Sequence, residues 1–224
     1  MRIVCVSTPG GRELFASDLG HGEDPHVAVW QHGLSLTRPL SATRDGEEIV
    51  LTVQGAPHSH GQVRLRRQRG LDPDLHTEPG EVPQVRQRVA AYGIVTSPRG
   101  LLATQFSDRT HVPGQWGLPG GGVDPGEEPP RTVVREAWEE SGQRIEIGDL
   151  VAVQSDHWIG RAPNGTLEDF HAVRLVYAGT CAEPTDPVVH DVGGTTSAAQ
   201  WVDLAAWRRV WWTAGARSLL DKNL

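Results

Sequence analysis

The chain has 224 residues, a mass of 24.4 kDa and a formal charge of −7, from 28 acidic against 21 basic side chains; length alone gives one or two domains. A hydrophobic share of 38% and a charged share of 22% describe a folded globule rather than a disordered chain, the acidic balance argues against broad nucleic-acid binding, and two cysteines, Cys5 and Cys181, rule out a disulfide framework. No apolar run has the length of a membrane span or a signal peptide, so a cytoplasmic protein with no membrane partner is expected.

In chain order, residues 1–70 read as a small N-terminal β-rich domain, a meander or half-barrel. Its candidate strands are Ile3–Val6, His26–Trp30, Ile49–Val53 and Val63–Arg66, separated by turn signals such as Pro9-Gly10-Gly11 and Asp45-Gly46. Residues 71–84 carry Pro73, Pro79, Gly80 and Pro83 among acidic residues and read as a linker. From residue 85 the pattern turns mixed. Val85–Thr96 and Leu101–Phe106 form a predicted hairpin across Ser97-Pro98-Arg99-Gly100. A Gly- and Pro-rich loop, 113–122, leads to a predicted helix over 129–141. Pro129 and Pro130 suit its first turn and Gly142 its C-terminal cap. Val133, Val134, Ala137 and Trp138 give it one apolar face. Strands are expected near 146–154, 169–178 and 200–202. A last helix is expected from Asp203, as N-cap, to about Leu220, with Trp207 and Trp211 on one face.

The chemistry is concentrated between Gly121 and Gln143. Glu136, Glu139 and Glu140 are spaced i, i+3, i+4 and so share one helix face. Like charges at that spacing repel, and the set asks for a compensating cation; oxygen ligands of this kind suit Mg²⁺ or Mn²⁺. Arg135 is placed to orient or neutralise one of them. The glycines just upstream let backbone approach a ligand closely. Together these features point to phosphate chemistry.

The segment resembles the Nudix box, Gly-x5-Glu-x7-Arg-Glu-U-x-Glu-Glu-x-Gly-U, where U is a bulky aliphatic residue. Gly121, Glu127, Arg135, Glu136, Glu139, Glu140 and Gly142 fill the seven fixed positions. At about 1 in 10 per position, chance supplies about one such match in 10⁷ windows. The two U positions depart from the pattern: Ala137 is small and Gln143 polar, and Trp138 is expected to fill space beside Ala137.

The resemblance implies an α/β fold, the Nudix α/β/α sandwich around a mixed sheet, over residues 85–224. It implies a hydrolase that cleaves the diphosphate linkage of a nucleoside diphosphate derivative. On the same ground Glu136, Glu139 and Glu140 bind Mg²⁺, with Mn²⁺ as a substitute, and one of them serves as base. Glu127 holds the loop or binds a further metal, Arg135 orients Glu136, and Gly120 and Gly121 bring backbone to the substrate. An acid outside the box often completes such sites, and Asp191, Glu168 and Asp169 are the candidates. A nucleoside triphosphate substrate and an ADP-sugar or ADP-ribose substrate both stay open, and Trp158 is a candidate for stacking on a base. The rival reading is a nucleotide sensor of the same fold that does not turn its ligand over. Elsewhere, Arg64, Arg66, Arg67 and Arg69 read as a solvated strand face, His58 and His60 as loop residues, and a homodimer through edge-paired β-domains is compatible with the pattern but not demanded by it.

Overall fold

The computed structural model describes residues 1–59, 69–72, 74–162, 164–191 and 193–224. The predicted strand Val63–Arg66, and with it His60, Arg64, Arg66 and Arg67, lies outside the described residues. Contacts between Cα atoms divide the chain into two compact units: residues 1–90 with 152–175, and residues 91–151 with 176–224. Among the described residues no helix is long and apolar enough to cross a membrane.

The first unit begins with a four-stranded sheet in the order β2-β1-β4-β3. Its strands are β1 (Arg2–Val6), β2 (Glu13–Asp18), β3 (Leu34–Asp45) and β4 (Glu48–Pro57). β3 and β4 form a hairpin whose register brings Asp45 opposite Glu48. Gly46 occupies the first central position of that turn at φ 59°, a conformation that costs glycine nothing and matches the strand twist. β1 runs antiparallel to β2 but parallel to β4, so the sheet is not the expected meander. Ile3, Cys5, Leu51 and Val53 alternate inward and are fully buried.

One predicted strand is a helix. His26–Trp30 lies within α1 (Pro25–Gln31), where Asp24 caps the N-terminus by accepting the His26 amide and Pro25 opens the first turn. The apolar run Val27-Ala28-Val29 is buried in either form, and the capping pair decides between them.

The longer sheet has the order β12-β7-β6-β11-β10-β5, with β8 on β7 and β9 on β6. Its long strands are β6 (Gln84–Ser97), β7 (Gly100–Phe106), β10 (Glu146–Arg161) and β11 (Leu167–Thr180). The short ones are β5 (Gly70–Leu71), β8 (Trp116–Gly117), β9 (Gly120–Gly122) and β12 (Thr196–Val202). β10 and β11 exceed the expected lengths. Gly70 and Leu71, on either side of the predicted boundary between domain and linker, pair with Trp158 and Ile159. The parallel β5–β10 pair and the antiparallel hairpins make the sheet mixed, as expected. With its helices the chain is an α/β protein.

In the second unit the predicted helix is α2 (Pro129–Ser141), and Gly142 closes it at φ 68°. Val133 and Ala137 are fully buried, and a Cβ on Gly93 of β6 would come within 2.8 Å of Val133 Cγ1. Trp138 does not fill space beside Ala137. It is 45% exposed and stacks on His190 at 4.8 Å. The polar Gln143 is nonetheless buried at the second U position. Its amide donates to Ser141 O and Thr185 Oγ1, and its carbonyl accepts the Thr185 amide, so the departure from an aliphatic residue is satisfied by hydrogen bonds.

The C-terminal helix is shorter than predicted. Asp203 accepts the Ala205 amide and caps a turn, Trp207–Arg209 is a short 3-10 turn, and α3 (Ala214–Asn223) starts only at the Thr213 cap. Trp116 and Trp212 form a β-bridge that interrupts a continuous helix. Trp207 and Trp211 therefore share no helix face: Trp207 is buried and Trp211 is 65% exposed.

Candidate active site

The loop before α2 is drawn tight by its glycines. Gly120 lies at φ 147°, and a Cβ there would meet the Ala91 carbonyl oxygen at 2.3 Å. The adjacent Gly121 is bounded by a side chain instead, since a Cβ would lie 2.2 Å from Glu136 Oε1. Backbone at 120–121 thus passes directly against α2's acidic face.

Arg135 organises that face. Its Nε and Nη2 donate to the two carboxylate oxygens of Glu127 at 3.0 Å each, and its Nη1 donates to Glu136 at 3.0 Å and to Glu139 at 2.9 Å. Nη2 also reaches the Gly122 carbonyl at 3.3 Å. The fork-shaped guanidinium fits this divergent set where an ammonium would not. Glu127 also accepts from Thr132 Oγ1 at 2.7 Å and from the Asp124 amide at 3.3 Å, and so ties the loop to the helix. The hydrogen bond from Arg135 is the main reason its carboxyl is held below the usual range, and Glu127 in turn raises Arg135 above its ordinary value.

Glu140 is the buried member, 5% exposed. It accepts the Gly120 amide at 3.0 Å and the Thr196 hydroxyl from β12. Burial pushes its carboxyl up to about 8; the two hydrogen bonds oppose this, and the charges of Glu136 and Asp191 add to it. Glu127, Glu136 and Glu139 are therefore gathered around one guanidinium, while the more deeply buried Glu140 is held by an amide and a hydroxyl instead. Such an oxygen-only, charge-deficient set fits a divalent cation.

Asp191 lies in the segment that follows α2 in space. The His190 and Asp191 amides donate to the Glu139 carbonyl at 2.7 and 3.0 Å, and Val188 donates to Ser141 O at 2.9 Å. These bonds satisfy carbonyls that a helix end leaves open. The other acids considered outside the box belong to the first unit. Glu168 accepts from Arg86 at 3.0 Å, and Asp169 is engaged by His21 and His157. Trp158 also belongs to that unit, tilted against Phe170 at 4.6 Å. His58 donates from Nε2 to Trp30 O, pairs through Nδ1 with Ser35 Oγ and lies tilted against the Trp30 ring, so it is a packed loop histidine. The His21–His157–Asp169 grouping went unnoticed in the sequence, because its members are separated by up to 148 residues.

A glycine loop feeding a helix with a gathered acidic face is the arrangement of a hydrolase that acts on nucleoside phosphate anhydrides. The NUDIX domain family model matches residues 86–222, and the chain belongs to the Nudix family. It is similar to the nucleoside triphosphatase NudI of Enterobacter sp. (strain 638), 35% identical over 96 residues, which cover 42% of this chain and 68% of that protein. The NudI protein of Salmonella typhimurium is 30% identical over the same shares. Among solved structures, the MutT protein of Methanosarcina mazei aligns with a TM-score of 0.49 at 20% identity, over 63% of this chain and 95% of that one. The MutT NUDIX hydrolase of Burkholderia pseudomallei aligns with a TM-score of 0.47 at 28% identity, over 62% and 99%.

Proposed function

We propose that the chain is an Mg²⁺-dependent hydrolase that cleaves the diphosphate linkage of a nucleoside diphosphate derivative, with Mn²⁺ as an alternative ion. The observation that carries the reading is the convergence of Glu136, Glu139 and Glu140 on one face, against the Gly120–Gly121 backbone. The names of the NudI relatives support a nucleoside triphosphate as the first substrate to try; an ADP-sugar or ADP-ribose is the second.

In this reading Glu136, Glu139 and Glu140 hold the metal. An ion bound there would neutralise the diphosphate and lower the pKa of an attacking water. The remaining work is positioning. Arg135 fixes the directions of Glu136 and Glu139, and Glu127 fixes Arg135 and the loop. The Thr196 hydroxyl and the Gly120 amide hold Glu140. Glu139, whose side chain is 42% exposed against 16% for Glu136, is the carboxylate best placed to meet a water and take its proton. Gly120 and Gly121 carry the loop backbone against Ala91 and Glu136, and in this reading that backbone meets the substrate. For the acid outside the box we propose Asp191, because its amide is tied to α2 and its charge acts on Glu140.

We further propose residues 85–224 as the hydrolase domain, 1–70 as an accessory β domain and 71–84 as the link. A cytoplasmic location is supported by two buried, unpaired cysteines.

The test is phosphate and pyrophosphate release over a panel of normal and oxidised nucleoside triphosphates, ADP-ribose, other ADP-sugars and dinucleoside polyphosphates. It is run with Mg²⁺ and with Mn²⁺, beside a Glu140→Gln control. Turnover lost in the control is the expected result. Absence of turnover with metal-dependent nucleotide binding overturns the enzyme reading in favour of a sensor.

A further inference from the structure

The first unit holds a second gathering of ligand atoms that the box does not use. His21 sits in the loop after β2, His157 on β10 and Asp169 on β11. The Nε2 atoms of both histidines point at the same oxygen, Asp169 Oδ1, at 2.9 Å from His21 and 2.5 Å from His157. One ligand atom from each residue lies within 4.8 Å of the others. The rings meet edge to face, with centroids 5.1 Å apart and planes at 83°, so their nitrogen edges converge rather than stack.

The grouping is sheltered. The side chains of His157, Asp169 and His21 are 7%, 18% and 24% exposed. The His21 loop is pinned at both ends: the Leu19 amide donates to Met1 O at 2.8 Å, and the Gly20 amide donates to Glu23 at 3.0 Å. Behind it, His171 is fully buried with Ser155 Oγ 2.9 Å from its Nε2, and its ring lies 5.7 Å from that of His21. Nδ1 of His157 is buried, with no hydrogen-bond partner among the described residues.

We propose that His21, His157 and Asp169 form a binding site for a divalent transition-metal ion, Zn²⁺ being the ion its donor set fits best. Two imidazole nitrogens and one carboxylate oxygen suit zinc, with the fourth tetrahedral position open to water. Mg²⁺ and Ca²⁺ prefer all-oxygen shells, such as the glutamates of α2 supply. At metal–ligand distances of about 2.0–2.1 Å, tetrahedral ligand atoms stand about 3.3 Å apart. The contacts of 2.9 and 2.5 Å therefore need to open by less than 1 Å. Binding moves each imidazole proton from Nε2 to Nδ1. Arg69, 3.8 Å from Asp169 Oδ2 and half exposed, has room to turn toward solvent. The ion would tie the loop after β2 to the β10–β11 hairpin across a long stretch of sequence.

The probe is Zn²⁺ alone, offered to the full chain in excess Mg²⁺ and followed by dialysis and elemental analysis. The wild-type chain is expected to retain a single zinc ion. His21→Gln and Asp169→Asn are expected to weaken zinc binding by more than the roughly 10–100-fold that loss of a mere orienting residue costs. Glu139→Gln and Ser155→Ala are expected to retain it. X-ray absorption at the zinc edge of the wild-type protein guards against misfolded variants, because two imidazoles give a distinct scattering pattern. Zinc retained equally by both ligand variants, a shell of oxygen atoms only, or no zinc retained by the wild-type chain overturns the assignment.

Discussion

Two adjacent glycines separate chemistry from folding. In Gly121→Ala the new methyl would sit 2.2 Å from Glu136 Oε1 and 2.6 Å from its Cδ. Gly121 needs no positive φ, so the backbone accepts alanine. The obstructing atoms end a flexible side chain, and the carboxylate rather than the chain yields. To reach ordinary contact at 3.4 Å, it retreats by about 1.2 Å, out of the grip of Arg135. Displacing a reacting group by about 1 Å costs on the order of 10²-fold. We expect kcat/KM to fall about 100-fold while stability changes by less than about 1 kcal/mol. Gly120→Ala is the opposite case. Its methyl would meet the Ala91 carbonyl oxygen at 2.3 Å and Tyr92 Cα at 2.6 Å, at φ 147°. Backbone has nowhere to go, and strain plus overpacking together cost about 2–6 kcal/mol. That is a Tm lower by roughly 5–20 °C for a chain of this size. Hydrolysis rates and thermal melts of the two variants check the pair. A Gly121→Ala enzyme near wild-type activity, or one whose Tm drops as far as that of Gly120→Ala, refutes the reasoning.

Arg135→Lys keeps the charge and loses the fork; kcat/KM is expected to fall about 10–100-fold as Glu136 and Glu139 lose their common donor, which steady-state kinetics measures. Gln143→Leu restores the aliphatic residue of the box pattern, yet it removes the bonds to Ser141 and Thr185 and is expected to lower stability by about 1–2 kcal/mol in denaturant titration. Asp191→Asn is expected to lower kcat/KM about 10²-fold, and Gly194→Ala, whose methyl would lie 1.5 Å from Asp191 Oδ2, should follow it. Unchanged rates in both return the role to another acid. The hydrogen bond from Arg161 is the main cause holding the Glu81 carboxyl below its usual range. A carboxyl lowered in the folded state stabilises above its unfolded pKa, and the contribution fades as pH falls through the folded value. Glu81→Gln should therefore leave acid unfolding less steep in that window, read by circular dichroism against pH.

What was legible in the sequence was local. The box helix announced itself because prolines at its start, a glycine at its end and acids at i, i+3, i+4 all act within a few turns. The first fixed box position, Gly121, likewise marks the glycine loop from the sequence alone. The α1 helix was misread although its signal was present: an apolar run of that length suits strand or helix, and only the Asp24–Pro25 pair distinguishes them. At the C-terminus the tryptophans had the right spacing for a helix, but Trp212 bridges Trp116, nearly a hundred residues upstream. Tertiary pairing there overrode the local pattern.

The same distinction separates the two side-chain clusters. Glu136, Glu139 and Glu140 lie on one helix, so 3.6-residue geometry alone places them together, and their repulsion already implied a cation. His21, His157 and Asp169 share no periodicity. Only the fold brings them to one carboxylate oxygen, and a lone histidine in a sequence is more often packed than ligating. The departures from the box pattern teach a related lesson. Gln143 is polar where the box pattern has an aliphatic residue; Thr185, forty-two residues on, makes it a satisfied polar contact. A motif fixes the groups that act on the ligand, while the residues that hold the motif in place are free to change together with distant partners.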